Sequence, residues 1–228
     1  MANVILVHGA FAEGSSWSKV IPLLQAKGHH VTSVAIPLTS FAEDVAATKR
    51  AIGVQEGPVL LVGHSYGGVV ITEAGNDAKV TGLVYVAAFA PNAGQSIGDV
   101  SKGFPQAPGL TAVSPLPDGY LLLTAKGIEE DFAQDLGAAE KALLVALQPQ
   151  TAGAIFDARP SAAAWGTKMS FYVVASKDRM IAPEQEQSMA KAIGAKTISL
   201  PSSHCVMLSH PTEVAQVVDE AARTLASR

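Results

Sequence analysis

Ser65 stands between two glycines in the segment Gly63-His64-Ser65-Tyr66-Gly67. An apolar run at residues 58–62 precedes it, and the apolar residues that follow can continue as a helix. A serine on such a strand–turn–helix is the arrangement of a nucleophile elbow, in which a sharp turn exposes the hydroxyl above the sheet. Glycine suits the flanking positions because a Cβ there would collide with neighbouring backbone. The pattern predicts Ser65 as a nucleophile, and the alternative is a glycine-rich turn with an incidental serine.

A serine hydroxyl becomes a good nucleophile only beside a base that a third group orients. At a nucleophile elbow these groups follow the chain order serine, acid, histidine. Asp178 comes shortly after the apolar run at residues 171–175, and His204 follows the last predicted strand, at residues 196–200. Because the carboxyl ends of parallel strands meet at one crevice, we predict that Ser65, Asp178 and His204 converge there as a catalytic triad.

Other acids and histidines fit these roles less well. Asp157 is the second candidate for the acid, but no predicted strand precedes it. His210 is the second candidate for the base, but it directly precedes Pro211 and is better explained as a cap of the last helix. His64 belongs to the elbow, and we expect it to pack beside the nucleophile without titrating in the reaction.

An oxyanion hole would complete such a site, and its donors are usually backbone N–H groups. One donor comes from the residue after the nucleophile, which is Tyr66 here, and the other from the loop after the first core strand. That loop begins at His8, directly after the strand at residues 3–7. We predict Ala10 as the second donor, with Phe11 in reserve.

Composition limits the classes of protein that the chain can represent. It has 228 residues, of which 48% are hydrophobic and 16% charged, which suffices for one core but not for two full enzyme domains. The net charge is −4 without a basic cluster, so we expect no nucleic-acid partner. The single cysteine excludes an internal disulfide framework. No basic segment precedes the first apolar run, and the apolar runs are too short or interrupted to span a bilayer. We therefore expect a cytoplasmic protein without membrane insertion, either a monomer or a homodimer.

Short apolar runs alternate with helical periodicity along most of the chain. The predicted strands lie at residues 3–7, 31–34, 59–62, 83–88, 171–175 and 196–200. The predicted helices lie at residues 17–24, 41–52 and 183–193, after the elbow, and from Pro211 onward. Strands rich in Val, Ile and Leu that alternate with helices indicate an α/β fold. We predict a mostly parallel, doubly wound sheet of about six strands flanked by helices.

Residues 91–165 interrupt this alternation and contain no convincing strand. Helical stretches are predicted there at residues 128–136, 139–147 and 151–158, after a proline-rich loop. We interpret the segment as a small helical cap, inserted before the last two strands of a core formed by residues 1–90 and 166–228. At the carboxyl edge of the sheet the cap would cover the ligand crevice. The residues expected to line an apolar substrate pocket are Phe11, Phe104, Tyr120 and Leu121.

No motif points to a metal or a nucleotide cofactor. No cluster of His, Cys, Asp and Glu has zinc-like spacing, and neither G-x-G-x-x-G nor a P-loop is present. We expect no cofactor.

With these residues in place, the chain resembles the α/β-hydrolases over nearly its whole length. It is similar in particular to the compact branch that contains the plant methylesterases, the salicylate-binding esterase among them, the hydroxynitrile lyases and small bacterial esterases. The segments that carry the resemblance are residues 8–10, 63–68, 84–91, 177–183 and 203–211.

The resemblance implies ester hydrolysis rather than cyanohydrin cleavage. The lyases carry a threonine after the first histidine and a lysine after the catalytic histidine, whereas this chain has Gly9 and Cys205. The expected activity is hydrolysis of small to medium carboxylic esters with an apolar acyl or alcohol part, through an acyl-enzyme intermediate. Other reactions on the same triad (carbon–carbon hydrolysis, perhydrolysis, lactone opening, hydroxynitrile cleavage) and a slow or non-catalytic ligand-binding receptor remain alternatives.

Overall fold

The computed structural model describes residues 1–226, and its centre is a parallel sheet of six strands. The strands are β1 (Asn3–Val7), β2 (His30–Val34), β3 (Val59–Ser65), β4 (Val80–Ala88), β8 (Met169–Ala175) and β9 (Lys196–Leu200), in the order β2-β1-β3-β4-β8-β9. All five neighbouring pairs are parallel. The prediction of a mostly parallel sheet of about six strands is confirmed.

Helices cover the sheet, as parallel strands require. The core helices are α1 (Val20–Ala26), α2 (Phe41–Gly53), α3 (Gly67–Ala74), α7 (Pro183–Ala192), α8 (Val206–Ser209) and α9 (Pro211–Ala226). Helix α1 packs against α9, and α2 packs against α3. In α9 the residues Val214, Val217, Val218 and Ala221 are buried, which is the apolar face expected from their helical spacing. Within residues 1–226 no helix is both long and apolar enough to cross a membrane.

The cap differs from the prediction because it contains strands. Between β4 and β8 lies a three-stranded antiparallel sheet of β5 (Val113–Pro115), β6 (Tyr120–Leu123) and β7 (Thr151–Ala152). These strands have two to four residues, which is too short to show an alternating pattern in the sequence. Asp118-Gly119, between β5 and β6, is a hairpin signal, and Gly119 has a φ of 84° as such a turn allows.

The cap helices agree with the prediction only in part, and the stretch predicted at residues 139–147 is a helix as expected. They are α4 (Ile97–Ser101), α5 (Ala125–Gly127) and α6 (Ala138–Leu147), with a π-helical turn at Ile128–Phe132. The predicted helix at residues 128–136 ends at Phe132, and residues 151–158 form β7 and a 3-10 turn. The cap is therefore a mixed layer of short helices and strands rather than a helical one.

Candidate active site

Ser65 is the last residue of β3, and α3 begins two residues later. Its φ of 53° lies in the left-handed region, which non-glycine residues rarely adopt and which recurs at functional sites. The flanking glycines are required by close approach of backbone. A Cβ on Gly67 would lie 2.6 Å from the carbonyl oxygen of His8, and one on Gly63 would lie 2.6 Å from that of Gly67. The local geometry is that of a nucleophile elbow.

Asp178 and His204 form a buried pair on neighbouring loops at the ends of β8 and β9. His204 Nδ1 lies 2.5 Å from Asp178 Oδ2, and the two side chains are 1% and 0% exposed. The backbone N–H groups of Met180 and Ile181 donate to Asp178 Oδ1 at 2.6 and 3.0 Å, which fixes the carboxylate. Because an ionised carboxylate only accepts hydrogen bonds, Nδ1 carries the proton. In the neutral ring, Nε2 is then the nitrogen free to accept a proton.

Ser65 and His204 line the same cavity, yet they are not hydrogen-bonded to each other. Among residues 1–226 the Ser65 hydroxyl makes no hydrogen bond to the imidazole, although both residues contribute to the cavity wall. Catalytic hydrogen bonds are often long or poorly aligned in free enzymes and tighten when substrate binds. The structure therefore brings the three predicted residues to one site, with the Asp178–His204 contact formed and the Ser65–His204 contact open.

Two backbone N–H groups beside Ser65 are unengaged. Within residues 1–226 neither the Ala10 N–H nor the Tyr66 N–H donates to another protein group. The Phe11 N–H, by contrast, donates to Thr151 Oγ1 at 3.1 Å. The reserve placement of Phe11 as an oxyanion donor is therefore corrected, because a cap residue already occupies that N–H. The side chain of Phe11 lines the cavity instead.

His64 is hydrogen-bonded to the backbone of the loop that carries His204. Its Nε2 lies 3.0 Å from the His204 carbonyl oxygen, an acceptor, so Nε2 is the protonated nitrogen. Burial, together with the nearby His204, lowers the pKa of His64 well below its usual value, so the ring is neutral. The His64 and His204 rings are 4.6 Å apart, and Phe132 packs on His204 with ring centroids 5.2 Å apart. His64 thus holds the position of the imidazole without carrying charge.

Three polar residues of the cap hold the loops that carry the acid and the base. Their interactions are Asp131 Oδ1 with Arg179 Nε at 2.6 Å, Gln134 Nε2 with the Lys177 carbonyl at 2.6 Å, and Asp135 Oδ2 with the Ser203 N–H at 2.9 Å. They lie in or just after the π-helical turn that ends at Phe132, a feature often found near functional sites. The sequence analysis missed these residues. Their spacing, with polar side chains at 131, 134 and 135, resembles that of an ordinary helix surface.

A cavity of about 480 Å³ opens beside Ser65 and His204, between core and cap. Its wall is mostly aromatic and aliphatic, and among residues 1–226 it includes no Lys, Arg, Asp or Glu. Its apolar lining includes Phe11, Phe89, Phe104, Leu121, Phe132, Phe156 and Met180. Tyr120, predicted to line the pocket, does not. Its neighbour Leu121 faces the cavity, and adjacent side chains of a strand point to opposite sides.

The second-choice acid and base lie away from this arrangement. Asp157 is exposed on the 3-10 turn after β7. His210 precedes α9 and faces Glu213 at 3.7 Å. Neither lines the cavity. Within residues 1–226, no three side chains among His, Cys, Asp and Glu are grouped so that they could hold a metal ion.

Comparison with known proteins places this geometry in context. Residues 4–217 match the model of the Alpha/beta hydrolase family. The chain is 26% identical to a probable hydrolase, R7, from Phoma sp., over 96% of this chain and 97% of that protein. It is 34% identical to a carbendazim hydrolyzing esterase from Nocardioides sp., over 42% of this chain and 46% of the esterase. It is 32% identical to salicylic acid-binding protein 2 from Nicotiana tabacum, over 40% of each chain.

The fold is shared with solved structures at lower sequence identity. A pyrethroid hydrolase from Sphingobium faniae superposes with a TM-score of 0.85 at 22% identity, covering 100% of this chain and 99% of the other. Polyneuridine aldehyde esterase superposes with a TM-score of 0.82 at 18% identity, covering 97% and 100%.

Proposed function

Because the chain belongs to the alpha/beta hydrolase family, we propose that it is a serine hydrolase of neutral carboxylic esters, with Ser65, His204 and Asp178 as its catalytic triad. The observation that carries the proposal is the 2.5 Å contact between His204 Nδ1 and Asp178 Oδ2. This contact leaves Nε2 as the basic nitrogen in the cavity that Ser65 also lines.

The reaction proceeds by acyl transfer in two steps. Ser65 Oγ bonds to the ester carbonyl carbon while His204 Nε2 takes the hydroxyl proton, and Asp178 stabilises the imidazolium that forms. The N–H groups of Ala10 and Tyr66 donate to the oxyanion. The ester C–O bond then breaks, and the departing alcohol takes the proton from His204. Water attacks the acyl-enzyme in the same manner and releases the carboxylic acid and free Ser65.

The cavity favours a neutral substrate of moderate size. Its volume of about 480 Å³ suits a small to medium ester, and the absence of charged residues among its described lining disfavours an anionic one. We expect p-nitrophenyl esters of increasing acyl length to be hydrolysed faster until the chain fills the cavity. Succinate monoesters should be poorer substrates than neutral butyrate esters.

Cyanohydrin cleavage, the chemistry of the related lyases, is disfavoured by two positions. A side chain at residue 9 would place its Cβ 2.7 Å from the Cβ of Ser65, so the threonine of the lyases has no room. Cys205 stands at the position of their lysine and is 1% exposed. Burial and the nearby Asp178 carboxylate raise the pKa of its thiol, and a cysteine carries no positive charge in either protonation state, so it cannot stabilise a departing cyanide.

The triad assignment is tested by initial rates on p-nitrophenyl butyrate. Ser65→Ala should lower kcat by about a million-fold and Asp178→Asn by about ten-thousand-fold, since triad members act as a unit. His204→Ala should resemble Ser65→Ala. Asp157→Asn and His210→Ala are the matched controls, because they make the same changes at the second-choice acid and base.

Folding of each variant is checked by circular dichroism and thermal unfolding. The proposal requires large losses at residues 65, 178 and 204 in folded protein, with controls close to wild type. Near-wild-type turnover by Ser65→Ala would refute the nucleophile, and a larger loss in Asp157→Asn than in Asp178→Asn would refute the acid.

A further inference from the structure

Two of the few polar side chains in the cavity wall, Gln185 and Ser101, contact each other. Gln185 lies in the first turn of α7, and Ser101 is the last residue of α4 in the cap. Gln185 Nε2 donates to Ser101 Oγ at 2.8 Å and to the Val100 carbonyl oxygen at 3.4 Å. Gln185 is 4% exposed. Core and cap thus meet at a polar contact in a mostly apolar cavity wall.

The hydrogen bonds of this pair leave two polar groups unused. A carbonyl oxygen can only accept, so the Val100 contact fixes the amide nitrogen of Gln185 toward the cap. The amide oxygen, Oε1, then has no hydrogen-bond donor in the part of the chain that the structure describes. The Ser101 hydroxyl accepts from Gln185, and no acceptor for its own hydrogen lies among residues 1–226. Because Gln185 lines the cavity, an amide oxygen without a protein donor is available to accept a hydrogen bond from the occupant of the cavity.

We propose that Gln185 and Ser101 form a specificity site for a hydroxyl group on the apolar part of the ester substrate. The substrate O–H donates to Gln185 Oε1, and its oxygen accepts from the Ser101 hydroxyl. Elsewhere in the wall most lining residues are apolar, so a hydroxyl there loses hydration without gaining a protein partner. Preference for a hydroxylated ester therefore depends on where the hydroxyl lies along the substrate. This inference rests on the proposed ester hydrolysis.

The test compares matched pairs of esters that differ only in a terminal hydroxyl or methyl group. One series consists of p-nitrophenyl ω-hydroxyalkanoates, from hexanoate to decanoate, each paired with the alkanoate that has methyl in place of hydroxyl. A second series places the hydroxyl on the alcohol, as acetate monoesters of diols paired with alkyl acetates. The readout is the ratio of kcat/KM for the two members of a pair. In the wild type we expect this ratio to rise about tenfold at one chain length over the others.

Variants separate substrate recognition from a merely structural contact between core and cap. Gln185→Met removes the amide at similar length, and Ser101→Ala removes the hydroxyl. Both should flatten the ratio across chain lengths. Gln134→Met is the matched control, because it deletes another glutamine that joins cap to core but does not line the cavity. It should leave the peak in the ratio in place, whatever its effect on the melting temperature.

The outcomes distinguish this inference from the proposed function. A flat ratio in wild-type protein that hydrolyses the plain esters overturns the specificity site and leaves ester hydrolysis standing. Failure of the wild type to hydrolyse any ester overturns the proposed function and the inference with it. A peak that survives Gln185→Met would show that the pair only joins cap to core. If Gln185→Met does not fold, the wild-type ratio and Ser101→Ala decide the question.

Discussion

Glu186 is a buried carboxyl whose replacement by glutamine should stabilise the protein at neutral pH. It is 0% exposed and lies on α7, where its Oε2 accepts from the Ala175 N–H at 3.0 Å. Its Oε1 is fully buried, and the carboxyl interacts with the side chain of Asp178. Burial, and then the negative charge of Asp178, raise the pKa of Glu186 well above its ordinary value of 4.5. The folded protein therefore keeps this carboxyl neutral at pH values where the unfolded chain ionises it.

The size of the effect follows from proton linkage. The free energy of unfolding contains the full contribution of Glu186 below about pH 4.5, and that contribution is lost as pH rises toward the folded-state pKa. Each pH unit between the unfolded-state and folded-state pKa values removes the free-energy equivalent of one pKa unit, at most about 1.4 kcal/mol. Glutamine cannot ionise, and its amide oxygen can still accept from the Ala175 N–H. The advantage of Glu186→Gln should therefore grow with pH.

Urea unfolding of wild type and Glu186→Gln at pH 5, 6 and 7 measures this difference directly. Glu184→Gln, an exposed substitution of the same type on the same helix, is the matched control. The m-values should agree, so that midpoints report stability alone. A stability difference that stays constant or shrinks as pH rises would refute the assignment of a neutral, buried Glu186.

Three further substitutions test the packing around the elbow by chemical unfolding. Gly68→Ala should cost about 3 kcal/mol, because its Cβ would lie 2.2 Å from a backbone carbonyl oxygen; an unchanged midpoint would contradict this contact. Tyr66→Phe should cost about 1–3 kcal/mol by removing the 2.7 Å hydrogen bond to the buried Asp44 carboxylate, and the loss should disappear in an Asp44→Ala background, which leaves the tyrosine hydroxyl no partner at that position. Thr151→Val should cost about 1–3 kcal/mol because the buried Phe11 N–H loses its acceptor, whereas Thr151→Ser should retain most of the stability.

The sequence indicated the four central strands of the sheet well because they are buried on both faces. All seven residues of β3 are buried, so its apolar run is continuous and easy to recognise. The cap strands gave no comparable signal. β7 consists of Thr151 and Ala152, and its pairing with β6 depends on residues 30 and 32 positions away in the chain. Such pairings are set by tertiary contacts rather than by local pattern.

The same limit applies to the site. Spacing and chain order were enough to identify Ser65, Asp178 and His204, which the structure places at one site. Their catalytic roles stay predictions. The choice between Ala10 and Phe11 depended on Thr151, which is 140 residues from Phe11. Whether Tyr120 or Leu121 of β6 faces the cavity likewise depended on the register of the cap strands, which are too short to be predicted.

The cap residues Asp131, Gln134 and Asp135 give the cap a second role beyond covering substrate. They bind the loops that carry Asp178 and His204, so the geometry of the acid–base pair depends on the segment between β4 and β8. Replacing the cap with that of a relative to alter substrate selectivity would then also disturb proton transfer, unless the residues at these three positions are retained. During the evolution of new substrate selectivity, the cavity-lining residues of the cap can therefore change more readily than Asp131, Gln134 and Asp135.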